Sequence, residues 1–115
     1  MKFAIFVLAK EDEMAKFAHA LMYANELHQA GHEVKIIFDG ASVKTLAGLD
    51  PEKPVFKLYT AVKELGIFAG VCEFCTTRME VDQAENIVDL IKLNNANGHA
   101  SIAQYVAEGY TPLVM

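Results

Sequence analysis

The stretch LHQAGHEVKIIFDG, residues 27–40, contains the end of a helix, a whole strand and a turn. Leu27 is the last apolar residue of a helically spaced series, and Gly31 suits the left-handed conformation that often ends a helix. The run VKIIF at 34–38 is dominated by β-branched and aromatic residues, which is typical of a buried strand. The turn pair Asp39-Gly40 then closes this strand. The stretch therefore predicts a helix followed directly by a strand.

The same alternation of strand and helix continues on both sides of this stretch. The run FAIFVL at 3–8 is continuously apolar, as expected for a parallel strand that is covered on both faces. Apolar residues from Met14 to Leu27 then recur at helical spacing. The next predicted elements are a short helical piece at 43–46, a helix after Pro54 that ends at Gly66, and a strand at 67–71.

The last third of the chain has weaker patterns. Residues 82–92 suit either a helix, for which Asp82 and Glu85 would form a capping box, or a strand, and we favour a helix followed by a short strand. The run NNANG at 94–98 is a turn cluster. The last predicted elements are a helix from His99 to Glu108, with Ile102, Tyr105 and Val106 facing inward, and a strand from Thr111 to Met115.

Repeated strand and helix units predict an α/β fold. We expect residues 1–115 to form a single domain, with a mostly parallel five-stranded sheet and helices on both faces, because parallel neighbours need crossover connections. A chain of this length suits one hydrophobic core. In such sheets, functional groups collect beyond the carboxyl ends of the strands.

Composition and charge limit the classes of function. Hydrophobic residues make up 53% of the chain, slightly above the usual share, so we expect some apolar surface to be used in contacts between subunits. The net charge of -5 argues against direct nucleic-acid binding. No apolar run approaches the length of about 20 residues that crosses a bilayer, and residues 3–8 lack the features of a signal peptide. We therefore expect a cytoplasmic protein without a membrane segment.

The stretch GVCEFCTTR, residues 70–78, contains both cysteines of the chain. Cys72 follows a predicted strand, and a helix is expected to start at Glu73 or Phe74, so unpaired backbone amides would favour a thiolate there. The charge of Glu73 opposes this effect, whereas Arg78 would offset it. In a reducing compartment, a Cys-x-x-Cys pair more often indicates chemistry or metal binding than a structural disulfide.

Several interpretations of this pair remain open from the residues alone. In one interpretation the two thiols simply pack a strand–helix junction. In another they form a redox dithiol, although Glu73-Phe74 replaces the usual Gly-Pro between the cysteines. Zinc requires four ligands; Cys72, Cys75 and His99 would supply three of them from two strand ends. The turn after the first strand has no glycine-rich phosphate loop, so no nucleotide cofactor is expected.

The order of these features resembles the DsrE/DsrF-like sulfur-relay family, which includes TusD-type tRNA-thiolation subunits and hexameric YchN-type proteins. The similarity spans nearly the whole chain and is carried by four segments: Leu27–Val34, Phe38–Val43, Gly70–Cys72 with Arg78, and Ile102–Tyr110. The chain departs from the family pattern at Cys75, an additional cysteine, and at Met79, where a glycine is frequent.

The resemblance implies a sulfur carrier, and hence a sulfurtransferase-type activity, with Cys72 at the persulfide-carrying position and Arg78 at a basic position of the next helix. It implies a homotrimer or hexamer with persulfide-donating and sulfur-accepting partner proteins. We expect no cofactor and no bound metal. Cys75 would resolve the persulfide or pack in the helix, and His99 would approach Cys72 from a neighbouring strand end or from another subunit. This role requires an accessible Cys72. The alternatives are a thiol–disulfide redox protein that uses Cys72 and Cys75, or a non-catalytic oligomer that binds a small ligand or a partner.

Overall fold

Strands and helices alternate along the whole chain in the computed structural model, which describes residues 1–115. The elements in chain order are β1 (Lys2–Val7), α1 (Met14–Gln29), β2 (Glu33–Phe38), α2 (Ser42–Ala47), α3 (Pro54–Glu64), β3 (Phe68–Cys72), α4 (Glu73–Arg78), β4 (Lys92–Leu93), α5 (Ile102–Ala107) and β5 (Thr111–Val114). Gly31 has φ of 90°, which confirms the predicted left-handed position after α1. No helix combines the length and the apolar character needed to span a membrane.

The five strands form one sheet in the order β4-β3-β2-β1-β5, and every neighbouring pair is parallel. The predicted α/β fold with a five-stranded parallel sheet is confirmed. Because all strands run in the same direction, their carboxyl ends lie at one edge of the sheet. Cys72, the last residue of β3, lies at this edge.

The main core lies between one face of the sheet and the helices α1, α2 and α3. It contains 18 buried residues, and the strand residues among them alternate along β1 and β2, as the two-residue period of a strand requires. Phe17 of α1 stacks on Phe38 of β2 with ring centroids 5.9 Å apart. This core explains why residues 14–27 and 55–65 show helical spacing of apolar side chains.

The second face of the sheet has a thinner cover. Its cluster contains four buried residues: Ala4, Phe6, Ile37 and Tyr110. Tyr105 of α5 packs on Phe6 with ring centroids 5.8 Å apart. The prediction that Ile102 and Val106 also face inward is wrong, since they are 46% and 52% exposed. A six-residue helix that contacts the sheet mainly through one tyrosine leaves its other apolar side chains in solvent.

The helix expected from Asp82 is absent, whereas the short strand that follows it is present as β4. Residues 81–90 form successive turns in which backbone bonds span three residues, such as Ala84 N to Val81 O and Ile87 N to Ala84 O. The buried Ile87 side chain anchors this segment in the core. The Asn86 side chain donates to the Leu46 carbonyl at 3.2 Å. These tertiary contacts outweigh the weak local helical pattern.

The last helix starts three residues later than predicted, at Ile102 instead of His99. The Ser101 hydroxyl accepts a hydrogen bond from Gln104 N at 3.2 Å, which caps the helix at this point. His99 instead pairs with Ala96 in an isolated antiparallel bridge. His99 therefore belongs to the turn before α5, which changes the direction from which it reaches the cysteines.

Candidate functional site at the carboxyl end of β3

Gly70 allows β3 to run close to the segment before β4. Its φ is 148°, and a Cβ atom at this position would lie 2.2 Å from the Ile91 carbonyl oxygen. That oxygen accepts a hydrogen bond from Val71 N at 2.9 Å. Only glycine fits this approach, which allows β3 to pair with β4.

Cys72 occupies the N-cap position of α4, and Cys75 lies in the first turn of this helix. Residues three apart in a helix lie on the same face, so this spacing brings the two sulfur atoms together. The helix ends at Arg78, and Glu80 beyond it has φ of 58°. The predicted start of a helix at Glu73 is confirmed.

His99 reaches the cysteines from the turn between β4 and α5. Ala96 and His99 exchange two backbone hydrogen bonds of 2.9 Å, and Phe74 N donates to the Gly98 carbonyl at 2.9 Å. The Phe74 and His99 rings lie 4.3 Å apart. These contacts place His99 Nδ1 3.8 Å from Cys72 Sγ. The expected approach of His99 to Cys72 is therefore present, although it comes from a turn and not from a helix start.

Three groups that can ligate a metal or exchange a proton meet at this point. One donor atom from each of Cys72, Cys75 and His99 lies within 4.8 Å of the others. Both cysteines are free thiols. Thiols and an imidazole in this arrangement can carry out sulfur transfer, form a disulfide or bind a soft cation.

Cys72 is enclosed in this conformation, with 0% of its surface exposed, so the expectation of an open Cys72 is wrong here. It nevertheless lies outside both hydrophobic clusters. His99 next to it is exposed, whereas Cys75 is half-buried. The exposed imidazole ring of His99 is therefore part of what lies over Cys72, and we call this the cover of Cys72. The sequence pattern of a strand end did not indicate such a cover.

Asp39, which the sequence pattern indicates only as a turn residue, is a neighbour of the site. Its Oδ1 atom lies 3.7 Å from Cys75 Sγ, which donates to it, and also accepts a hydrogen bond from Gly40 N at 2.8 Å. Asp39 follows β2, and β2 is next to β3 in the sheet. The position of Asp39 directly after a predicted strand could have indicated that it lies near the cysteines, because the carboxyl ends of adjacent parallel strands lie at the same edge of a sheet.

Arg78 lies at the last residue of α4 and is exposed. It is absent from the ion pairs of the structure and has no hydrogen bond to either cysteine. The site thus brings together Cys72, Cys75 and His99, while Arg78 lies at the opposite end of the same short helix.

The chain matches the DsrE/DsrF-like family over residues 1–115. It belongs to the DsrE/DsrF-like family. It is 34% identical to the uncharacterised protein MJ0733 of Methanocaldococcus jannaschii, an alignment that covers 96% of this chain and 92% of the relative. The fold is similar to that of a conserved protein of unknown function, BT1422 from Bacteroides thetaiotaomicron, with a TM-score of 0.70 and 23% identity over 99% of this chain and 94% of the other.

Membership of the DsrE/DsrF-like family places the chain in a sulfur-relay type of family. At 23% identity, the solved structure supports the fold and no more than the fold.

The pKa of Cys75 is raised to about 12 in this DsrE/DsrF-like protein. Burial of the thiol is the largest cause, followed by its hydrogen bond to Cys72 and by the charge that Cys72 carries when ionised. The Asp39 carboxylate adds a smaller effect in the same direction, whereas a hydrogen bond from the Gly40 backbone opposes it. Cys75 therefore remains a protonated thiol at neutral pH.

A separate cavity of about 560 Å³ opens near the carboxyl ends of β1 and β5. Its lining consists of Leu8, Ala9, Lys10, Glu13, Lys16, Val114 and Met115. Glu13 pairs with Lys16 at 2.9 Å across this region. The lining contains neither cysteine, so the cavity is distinct from the thiol site of this DsrE/DsrF-like protein.

Proposed function

We propose that this protein is a sulfur carrier, which accepts sulfur on Cys72 as a persulfide and passes it to a partner protein. Family membership supports the general class. The observation that carries the proposal is the meeting of Cys72 with Cys75 and His99, whose donor atoms lie within 4.8 Å of one another. A reactive sulfur needs a neighbour that exchanges a proton with it, and His99, with Nδ1 3.8 Å from Cys72 Sγ, is proposed for this role.

Sulfur transfer by Cys72 needs neither an oxidant nor a reductant. The Cys72 thiolate attacks the outer sulfur of a donor persulfide, a new sulfur–sulfur bond forms on Cys72, and the donor leaves as its own thiolate. An acceptor thiolate then attacks the outer sulfur of the Cys72 persulfide, and the Cys72 thiolate is released. His99 Nδ1, 3.8 Å from Cys72 Sγ, is placed to take up and return the thiol proton.

Transfer to or from a partner requires the cover over Cys72 to move, because this side chain is 0% exposed. The cover includes the exposed His99 ring on its turn, and the Phe74 ring lies against it. The turn is attached to α4 through the hydrogen bond from Phe74 N to Gly98 O. We expect this turn to move away when a partner docks, since turns open at lower free energy than core strands do.

Cys75 is not expected to destroy a persulfide on Cys72, because it stays protonated. A Cys75 thiolate would attack the inner sulfur of the Cys72 persulfide, form a disulfide and release hydrosulfide. With a pKa of about 12, Cys75 is protonated at neutral pH, so this loss of sulfur is slow. Arg78, exposed and three residues beyond Cys75, is proposed to offset the negative charge of an incoming persulfide.

Thiol–disulfide exchange is the second candidate function, and the proximity of the two sulfur atoms, within 4.8 Å, favours it. In that case Cys72 and Cys75 would lose two hydrogens to an external disulfide and become a disulfide themselves. The high pKa of Cys75 argues against this function, because the second thiol must ionise for the exchange to be completed.

Intact-mass spectrometry after treatment with inorganic polysulfide tests the proposal. We expect wild-type protein to gain one or more sulfur atoms, Cys75→Ser to keep this gain, and Cys72→Ser to lose it. Cyanide treatment should remove the added sulfur as thiocyanate. An unchanged wild-type mass would refute the carrier function, and a loss of two hydrogens without added sulfur would favour the disulfide function.

A further inference from the structure

The two thiols and His99 also form a set of ligands with the chemistry of a zinc site. They come from three parts of the fold: the end of β3, the first turn of α4 and the turn before α5. Thiolate and imidazole are the ligands that Zn²⁺ prefers, whereas Mg²⁺ and Ca²⁺ prefer oxygen. The neighbouring Asp39 carboxylate, 3.7 Å from Cys75 Sγ, adds a negative charge that favours a cation.

The spacing of the donor atoms is close to that of a tetrahedral site. With metal–sulfur bonds of about 2.3 Å and metal–nitrogen bonds of about 2.0–2.1 Å, tetrahedral donors lie about 3.4–3.8 Å apart. Cys72 Sγ and His99 Nδ1 are 3.8 Å apart. All three donor atoms lie within 4.8 Å of one another. Side-chain rotations that move these atoms by about 1 Å would therefore bring them to the spacing of a tetrahedral metal site.

The backbone around these ligands holds them in place before any metal binds. The reciprocal bonds between Ala96 and His99 fix the turn, and the bond from Phe74 N to Gly98 O attaches it to α4. Asn94 donates to the Glu73 carboxylate at 2.6 Å across the same junction. Such supporting contacts orient metal ligands while the turn is closed, and oriented ligands raise the affinity for the metal.

We infer that reduced Cys72, Cys75 and His99 bind one Zn²⁺ ion, with a fourth coordination position open to an external ligand. Binding releases the two thiol protons as both sulfurs become thiolates. Three protein ligands with an open position are typical of reactive zinc sites, and a hydrosulfide or thiolate is the external ligand best matched to a thiolate-bound metal. The inference does not rest on the proposed function, since it needs only the reduced thiols.

Titration of the reduced, chelator-treated full chain with Zn²⁺ against a chromophoric chelator tests this inference. We expect one Zn²⁺ per chain with a Kd of about 1 μM or below. The His99→Ala variant removes an exposed ligand without disturbing the core, and it should raise the Kd at least about tenfold. Cys75→Ser should abolish stoichiometric binding, and His19→Ala, an exposed histidine on α1, should bind like wild type.

Cobalt provides a second measurement that reports the ligand type. Co²⁺-loaded wild-type protein should show sulfur-to-cobalt charge-transfer absorption, which weakens in Cys75→Ser and persists in His19→Ala. Absence of zinc binding by wild-type protein, or equal affinity in wild type and His99→Ala, would overturn the inference. Zinc binding without sulfur uptake would overturn the proposed function alone, and sulfur uptake without zinc binding would overturn the zinc site alone.

Discussion

At Cys75, burial and the neighbouring Cys72 sulfur both stabilise the protonated thiol and raise its pKa to about 12. We expect alkylation of Cys75 by iodoacetamide at pH 8 to be more than about a hundredfold slower in the folded protein than in the unfolded chain, because the thiolate is the reacting form. Peptide mapping by mass spectrometry after timed quenching measures this ratio.

The pKa of Cys75 is higher in the folded protein than in the unfolded chain. The protonated Cys75 thiol therefore contributes to folding stability below about pH 9, and this contribution is lost as the pH rises through about 12. The alkylation rate of Cys75 should therefore keep increasing with pH beyond the range in which a free thiol has levelled off. A rate that levels off near pH 9 in the folded protein would show that this thiol is not protected.

Tyr110 offers a second test at a single residue. Its hydroxyl donates to the Glu33 carboxylate, and this hydrogen bond is the main cause that raises the pKa of Tyr110 to about 12 and lowers the pKa of Glu33. Because the pKa of Glu33 is lowered, the contribution of this hydrogen bond to folding stability is lost as the pH falls through the acid range and the carboxylate is protonated. Because the pKa of Tyr110 is raised, the same contribution is also lost between about pH 10 and 12, as the hydroxyl ionises.

We expect Glu33→Gln to move the pKa of Tyr110 towards the usual tyrosine value of about 10. Ultraviolet titration of tyrosinate, with Tyr110→Phe to assign the step, measures this change. Glu26→Gln, a change at an exposed position of α1, is the matched control and should leave the late step in place. Because burial also raises the pKa of Tyr59 and of Tyr105, only the late step that Tyr110→Phe removes is assigned to Tyr110, and its survival in Glu33→Gln would contradict the role of this hydrogen bond.

The residues of the site were more predictable than their exposure. Cys72, at a strand end, and His99, in the region after another strand, were expected to approach each other because parallel strands end at one edge. The burial of Cys72 could not be predicted, because a strand end can be open or covered, and the tertiary contacts of the turn that bring His99 to within 3.8 Å of Cys72 have no local sequence signal. The contact between Asp39 and Cys75 depends in the same way on the pairing of β2 with β3.

Among the elements, the junction of β3 with β4 depends on one glycine. Gly70→Ala would place a Cβ atom 2.2 Å from the Ile91 carbonyl oxygen, in a backbone conformation that disfavours side chains. We expect a loss of about 3 kcal/mol in the free energy of unfolding, measured by urea denaturation. Gly48→Ala is the matched control, since a Cβ atom there would make only ordinary contacts. Equal stability of the two variants would mean that the junction can relax.

Elements with strong periodicity were predictable, and those with short apolar runs were not. The pattern from Met14 to Leu27 repeats over several turns, so the local signal and the core agree on α1. In the segment 82–91 the pattern is too short to decide, and the burial of Ile87 and the hydrogen bond of Asn86 to Leu46 determine its turns. The start of α5 was displaced because Ser101 caps the helix there.

For the whole molecule, assembly into a homotrimer or hexamer remains a prediction. Ile102 and Val106 are four residues apart on the outer side of α5, and both are exposed above the thinly covered face of the sheet. We expect size-exclusion chromatography with light scattering to give a mass above that of a monomer. The double variant Ile102→Lys with Val106→Lys should weaken assembly at least about tenfold, because two charges would be buried in the contact.

Met22→Lys is the matched control for this assembly test, since Met22 is an exposed apolar residue on α1, which packs on the other face of the sheet. It should leave the mass unchanged. A monomeric wild-type protein at every concentration would contradict the prediction of assembly, and an unchanged mass in the double variant would place the contact elsewhere.

The strand order has a consequence for synthesis of the chain. β5 is synthesised after the other four strands of the sheet, yet it pairs with β1, which is synthesised before them, from Phe3 opposite Thr111 to Phe6 opposite Val114. Until β5 has been synthesised, β1 has an unpaired edge on this side, and such edges recruit strands from other chains. Nascent chains stalled before Thr111 should therefore depend on chaperones more than the finished protein does.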